Sequence, residues 1–105
     1  MTPISFIDAN DQLIEADLDG VTYHIGLSWN EEGQLWTMSI RSLDRQILVS
    51  GVAVVPSTLL LRPIRRPSLP PGEFIVAAGP GTLLDRLSFV SGKAFMFYLS
   101  TEDKD

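Results

Sequence analysis

From Val21 to Trp29 apolar side chains fall at every second position: Val21, Tyr23, Ile25, Leu27 and Trp29. Thr22, His24, Gly26 and Ser28 lie between them. A polar break follows at residues 30–33, and Trp36, Met38 and Ile40 then resume the alternation. Successive side chains on a strand point to opposite faces, so a period of two lays one apolar stripe along each segment. Two stripes joined by a polar turn predict a hairpin with one buried face. The glycine of Asn30-Glu31-Glu32-Gly33 is the natural occupant of a left-handed position in that turn.

The flanking segments extend the pattern. Residues 3–7 are short and apolar, a predicted edge strand with Pro3 at its first position. Ile14, Ala16 and Leu18 alternate with Leu13, Glu15, Asp17 and Asp19, which predicts a strand over 12–19 with one face in water. Asp19-Gly20 is a strong two-residue hairpin signal. Ser42-Leu43-Asp44-Arg45 marks a further reversal. Residues 46–55 are rich in β-branched side chains, and Gly51 among them suggests a bulge or a close backbone approach. Residues 58–62 fit either a strand or one helical turn. Pro63, Pro67, Pro70 and Pro71 remove donors and fix φ, so residues 62–72 are expected to form an extended arm. Residues 73–78 make a short strand, 83–90 a turn followed by a strand, and 94–100 a last strand that is apolar on both faces. That last strand is expected to be buried on both sides, or to keep an exposed face for assembly. Residues 101–105 form a polar tail expected to fray. About seven to nine short strands with regularly spaced turns predict an all-β fold, a small antiparallel β-sandwich or β-barrel.

Composition narrows the function classes. With 105 residues the chain has room for one domain, spanning 1–105. It has no cysteine, so neither disulfides nor thiolate metal sites hold it together. No apolar run is long enough to span a bilayer, and the N-terminal segment lacks the basic region of a secretory signal, which points to cytoplasmic synthesis. The net charge of −5 is divided unevenly. No Lys or Arg precedes Arg41, so the first forty residues carry a formal −7 and the remainder +2. Such a chain repels phosphate backbones, which argues against nucleic acid as a partner. The division also suits association of copies or partners through opposite patches.

Candidate chemistry is sparse. Asp17 and Asp19 would place two carboxylates roughly 7 Å apart on one strand face, a separation that suits glycoside hydrolysis. Nothing apolar in the pattern surrounds them to raise one pKa, so a solvated face is the simpler reading. His24 is the sole histidine and falls on the polar face of its strand. There is no Gly-x-Ser-x-Gly elbow, and one histidine without cysteine cannot make the usual zinc site. Residues 77–82 are glycine-rich but lack the spacing and lysine of a phosphate-binding loop. No cofactor is expected. Arg62, Arg65 and Arg66 stand out: three guanidinium groups on a proline-stiffened segment offer donors to an acidic neighbour at low ordering cost.

Several pieces in order resemble the baseplate plug family of contractile-tailed phages and their prophage relatives. These are Trp29-Asn30, Trp36-Thr37-Met38-Ser39-Ile40, Asp44 in the next turn, and Ile47-Leu48-Val49-Ser50-Gly51-Val52. Leu59-Leu60-Leu61-Arg62-Pro63, Gly72-Glu73-Phe74-Ile75-Val76 and Leu84-Asp85-Arg86-Leu87-Ser88-Phe89-Val90 complete the series. The resemblance spans nearly the whole chain. It implies a small virion protein without enzymatic role, a β-domain lodged in the tail baseplate and assembled in the host cytoplasm. Its partners would be tail hub, tube or baseplate proteins, with homo-oligomers as a further possibility. Contact would run through Arg62, Arg65 and Arg66, with Trp29 and Trp36 as core anchors. Two other classes stay open. A stand-alone peptide- or carbohydrate-binding domain predicts a groove lined by Tyr23 or Trp29. A small hydrolase predicts convergence of Asp17, Asp19 and His24 in one cleft.

Overall fold

The hairpin at the centre of the pattern is the spine of a four-stranded antiparallel sheet. A computed structural model describes residues 2–56, 58–79, 81 and 83–101. In it, β1 is Thr2–Ile4, β2 Asp11–Leu18, β3 Val21–Asn30, β4 Leu35–Arg41, β5 Ile47–Ala53, β6 Glu73–Ala78 and β7 Ala94–Leu99. The larger sheet has the order β2-β3-β4-β5 and the smaller the order β1-β7-β6, with every pairing antiparallel. The one helical element among the described residues is a 3-10 turn at Arg62–Ile64. The architecture is all-β and sandwich-like, not a closed barrel.

The alternation does what its period demands. Tyr23, Ile25 and Leu27 of β3 and Trp36, Met38 and Ile40 of β4 are all buried on the inner face. Phe74 and Val76 of β6 and Ala94, Met96 and Tyr98 of β7 meet them from the smaller sheet in one apolar cluster. Trp36 stacks edge-on against Trp29 (5.2 Å between centroids) and Phe89 (6.3 Å), and Phe74 against Tyr98 (5.1 Å). The Asp19-Gly20 turn takes positive φ at both central residues, 55° and 83°, as a type I′ hairpin requires. Opposite Ser39, β5 carries one extra residue between Val49 and Val52; Gly51 there has φ 72°, which makes the expected bulge.

Other expectations are corrected. In the 30–35 turn the left-handed residue is Gln34 (φ 54°), not Gly33. Asn30 Oδ1 accepts the Gly33 N–H at 2.9 Å, and the Gln34 side-chain amide donates to the Glu31 carbonyl at 2.7 Å, which shifts the turn by one residue. The first strand ends at Ile4, because the Gln12 amide takes both the N–H and the carbonyl of Ile7 at 2.9 Å each. Residues 83–90 hold no strand. Asp85 Oδ1 accepts the Leu87 N–H (2.9 Å) and the Ser88 hydroxyl (3.0 Å), capping a turn that drives Phe89 into the core edge. The last strand, β7, is the central strand of its sheet. Residues 62–72 are not an extended arm; the 3-10 turn and a second turn, with Leu69 N–H on the Arg66 carbonyl at 3.1 Å, fold them back, burying Leu69 and Pro70. Of the tail expected to fray, residues 102–105 lie outside the described residues.

Candidate assembly surfaces

The three arginines singled out from the sequence sit together on the folded-back segment but do different things. Arg65 reaches inward. Its guanidinium donates to the carbonyls of Pro70 and Gly72, and Nη2 lies 3.3 Å from Glu73 Oε2. Glu73 is buried and accepts the Leu61 N–H through Oε1 at 2.9 Å, so the pair ties both ends of the segment to the start of β6. A planar fork with five donors suits this multidentate role, which a lysine would not fill. Arg66 donates from Nη1 to the Leu48 carbonyl at 3.0 Å, across to the β5 edge. Arg62 is exposed at the start of the 3-10 turn, and its guanidinium has no partner among the described residues. Arg62, Arg65, Leu59, Pro71 and Glu73 line a shallow hollow of about 360 Å³.

The candidate hydrolytic groups do not converge. Asp17 Oδ1 accepts the Thr22 hydroxyl at 2.6 Å, whereas Asp19 Oδ2 accepts the Tyr98 hydroxyl at 2.6 Å. His24 is buried, because it sits on β3 between Glu15 of β2 and Arg41 of β4. Its Nδ1 faces the Ser42 carbonyl at 3.2 Å, and since a carbonyl only accepts, that nitrogen carries the proton. Nε2 is 3.6 Å from Glu15. Among the described residues no group of three His, Asp or Glu side chains is placed to hold a metal. The expected aromatic groove is also missing: Tyr23 is buried, and Trp29 is half-buried with its indole N–H on Glu31 at 2.6 Å.

Two features escaped the sequence reading. The Tyr98 hydroxyl bridges the sheets: it donates to Asp19 in the β2–β3 turn and accepts the Gly72 N–H at 2.7 Å. Burial first, then the Asp19 hydrogen bond, push its pKa well above the ordinary 10.0. Arg86 pins the 83–92 loop to the N-terminal segment. Its Nη2 is 2.8 Å from Asp8, its Nε donates to Asn10, and its guanidinium lies 5.6 Å from the Trp36 ring centre.

The outer face of the smaller sheet is apolar. Pro3, Phe97 and Ile75 stand abreast across β1, β7 and β6, with Phe95 beside Ala77. Phe95 is 54% exposed. The alternation in β7 that suggested two apolar faces is therefore real, with one face in the core and the other open. A family model described as cyanophage baseplate Pam3 plug gp18 matches residues 1–102. No curated protein matches the chain.

Proposed function

The chain belongs to the cyanophage baseplate Pam3 plug gp18 family, and from that premise we propose that it is a structural component of a phage or prophage tail baseplate, acting by protein–protein assembly. The single observation that carries this reading is the family match over residues 1–102. The geometry supports it in two ways. The carboxylates and the histidine are spent on separate structural contacts, so the surface offers shape and charge in place of a reactive centre. Loops are tied down by charged side chains, which suits a part that must present fixed surfaces to neighbours.

On this reading the protein resides in the virion tail after assembly in the host cytoplasm, and catalysis has no part in its role. The neighbours are tail hub, tube or baseplate proteins, and the residue 62–66 region is one contact. Within it Arg62 is the residue free to reach a partner carboxylate, while Arg65 and Arg66 hold the segment in shape. The experiment is purification of tails from cells expressing a tagged chain. Wild-type protein should co-sediment with tails, and Arg62→Glu should fold normally yet co-sediment less. Absence of the wild-type chain from tails would remove the assembly reading. Equal incorporation of Arg62→Glu would remove the arginine contact alone.

A further inference from the structure

A sheet edge is a row of unpaired N–H and C=O groups, and soluble proteins blunt such edges. Three of the four edges here are blunted. β1 has only three residues. β6 is covered by the preceding segment, with Leu60 N–H on the Phe74 carbonyl at 3.1 Å. β5 is bulged at Gly51 and has its Leu48 carbonyl capped by Arg66.

β2 is different. Its eight residues pair with β3 without a register break and include neither proline nor glycine. The phase of the ladder is set at both ends. The Asp19-Gly20 turn makes Leu18 and Val21 a hydrogen-bonded pair, and beyond the strand the Trp29 N–H donates to the Asn10 carbonyl at 2.8 Å. Hydrogen-bonded and non-bonded pairs alternate in an antiparallel ladder. The main-chain groups of Asp11, Leu13, Glu15 and Asp17 therefore point away from β3, into the open edge.

The chemistry of an occupant follows from the two faces. The side chains of Asp11, Leu13, Glu15 and Asp17 are exposed on the outer face, and no Lys or Arg precedes Arg41. Two copies pairing edge to edge through β2 would set carboxylates opposite carboxylates, which is destabilising. A strand with Lys or Arg at alternate positions would face them favourably. On the inner face Ile14 and Ala16 are only half-covered, although Ile25 and Leu27 on β3 beside them are buried. The intervening positions of the incoming strand should therefore be apolar. We propose that β2 is a docking edge that takes up an extended strand of another protein, in which basic and apolar residues alternate. The proposal rests on the assembly reading only in expecting a protein partner. Its test uses the purified chain, so a failure of tail incorporation leaves it standing.

The probe is a peptide of about eight residues, the length of an ordinary strand, alternating Lys and Val, titrated into the isotopically labelled chain. Backbone amide shifts and slowed hydrogen exchange should centre on Asp11, Leu13, Glu15 and Asp17. A peptide alternating Glu and Val should not bind. Leu13→Pro removes an outward N–H without touching the β3 ladder and should weaken binding at least about tenfold, as should Asp11→Lys combined with Glu15→Lys. Should Leu13→Pro unfold, the charge reversal and the wild-type amide map decide. No binding of the Lys–Val peptide, shifts centred on β5 or Phe95, or equal binding of the Glu–Val peptide would overturn the proposal. So would concentration-dependent dimerisation that protects the β2 amides without peptide.

Discussion

Replacing Tyr98 by Phe isolates the polar link that its hydroxyl makes between the two sheets. The ring stays, and with it the packing on Phe74; only the hydroxyl goes. Two hydrogen bonds disappear, to Asp19 at 2.6 Å and from Gly72 N–H at 2.7 Å. The Asp19 side is exposed, so its carboxylate regains water and offsets most of the loss of a charge-assisted bond. The Gly72 side is buried, and its N–H is left without an acceptor, at a cost of about 1–3 kcal/mol. The net expectation is about 2–3 kcal/mol, or a midpoint lowered by roughly 10–20 °C for a domain of this size. Urea denaturation followed by tryptophan fluorescence measures it. Asp19→Asn keeps the turn, since Asn tolerates a φ of 55°, and should cost under about 1 kcal/mol. The pH dependence adds a second readout. The folded state raises the Tyr98 pKa above its ordinary 10.0, so the hydroxyl's contribution is complete below about pH 10. It is lost as pH climbs above that value, because the unfolded chain then releases a proton that the folded chain keeps. Tyr98→Phe should flatten part of the alkaline decline and leave the part due to Tyr23, whose pKa is raised by burial and by Asp19. A variant within about 0.5 kcal/mol of wild type, or one with an unchanged alkaline decline, would refute the bridging role.

Two further substitutions test neighbouring parts of the same reasoning. A Cβ at Gly72 would stand 2.0 Å from the Leu99 carbonyl oxygen and 2.6 Å from the Tyr98 hydroxyl, neither of which can swing away; Gly72→Ala should cost about 3 kcal/mol or more by calorimetry, or fail to fold. Arg65→Gln leaves the buried Glu73 carboxylate with the Leu61 N–H alone; because Arg65 is 38% exposed, about 1–3 kcal/mol is expected, at or below the low end of a broken buried pair. The double variant Arg65→Gln with Glu73→Gln should recover part of that loss, and strict additivity in the cycle would show that the two groups do not interact.

The parts of the fold that were legible are those in which local pattern and final environment agree. The β3–β4 hairpin, the Asp19-Gly20 turn and the Gly51 bulge each follow from residues within a few positions of one another. The misreadings arise where a side chain overrides local preference. Leu87 and Phe89 alternate like a strand, but the Asp85 carboxylate captures the Leu87 N–H and the Ser88 hydroxyl and makes a turn of it. Prolines in 62–72 report which donors are missing; they say nothing of Arg65 finding two carbonyls and a carboxylate on the other limb of the segment. The Tyr98–Asp19 contact joins residues 79 apart in sequence, and no local signal carries such a distance. For the surfaces, the charge asymmetry was visible at once, but which charges are free was not.

That last distinction governs what the protein can offer to neighbours. Without cysteines, and with described loops at 58–72 and 83–93 that hold only one short helical turn, the chain needs another device to keep those loops on the sheets. It uses long charged side chains. Arg65 and Glu73 hold the first loop, Arg66 secures it to β5, and Arg86 fixes the second to Asp8 and Asn10. The Arg65 contacts lie at partly buried positions, where screening by salt is weaker than at the surface, whereas the Arg66 contact is exposed. Charges committed in this way are unavailable to a partner without undoing the fold. Arg62 and the exposed carboxylates along β2 take no part in fixing the loops, and they carry opposite signs. A chain built so can be gripped by a basic strand at one edge and an acidic group at the other while its own loops stay fixed.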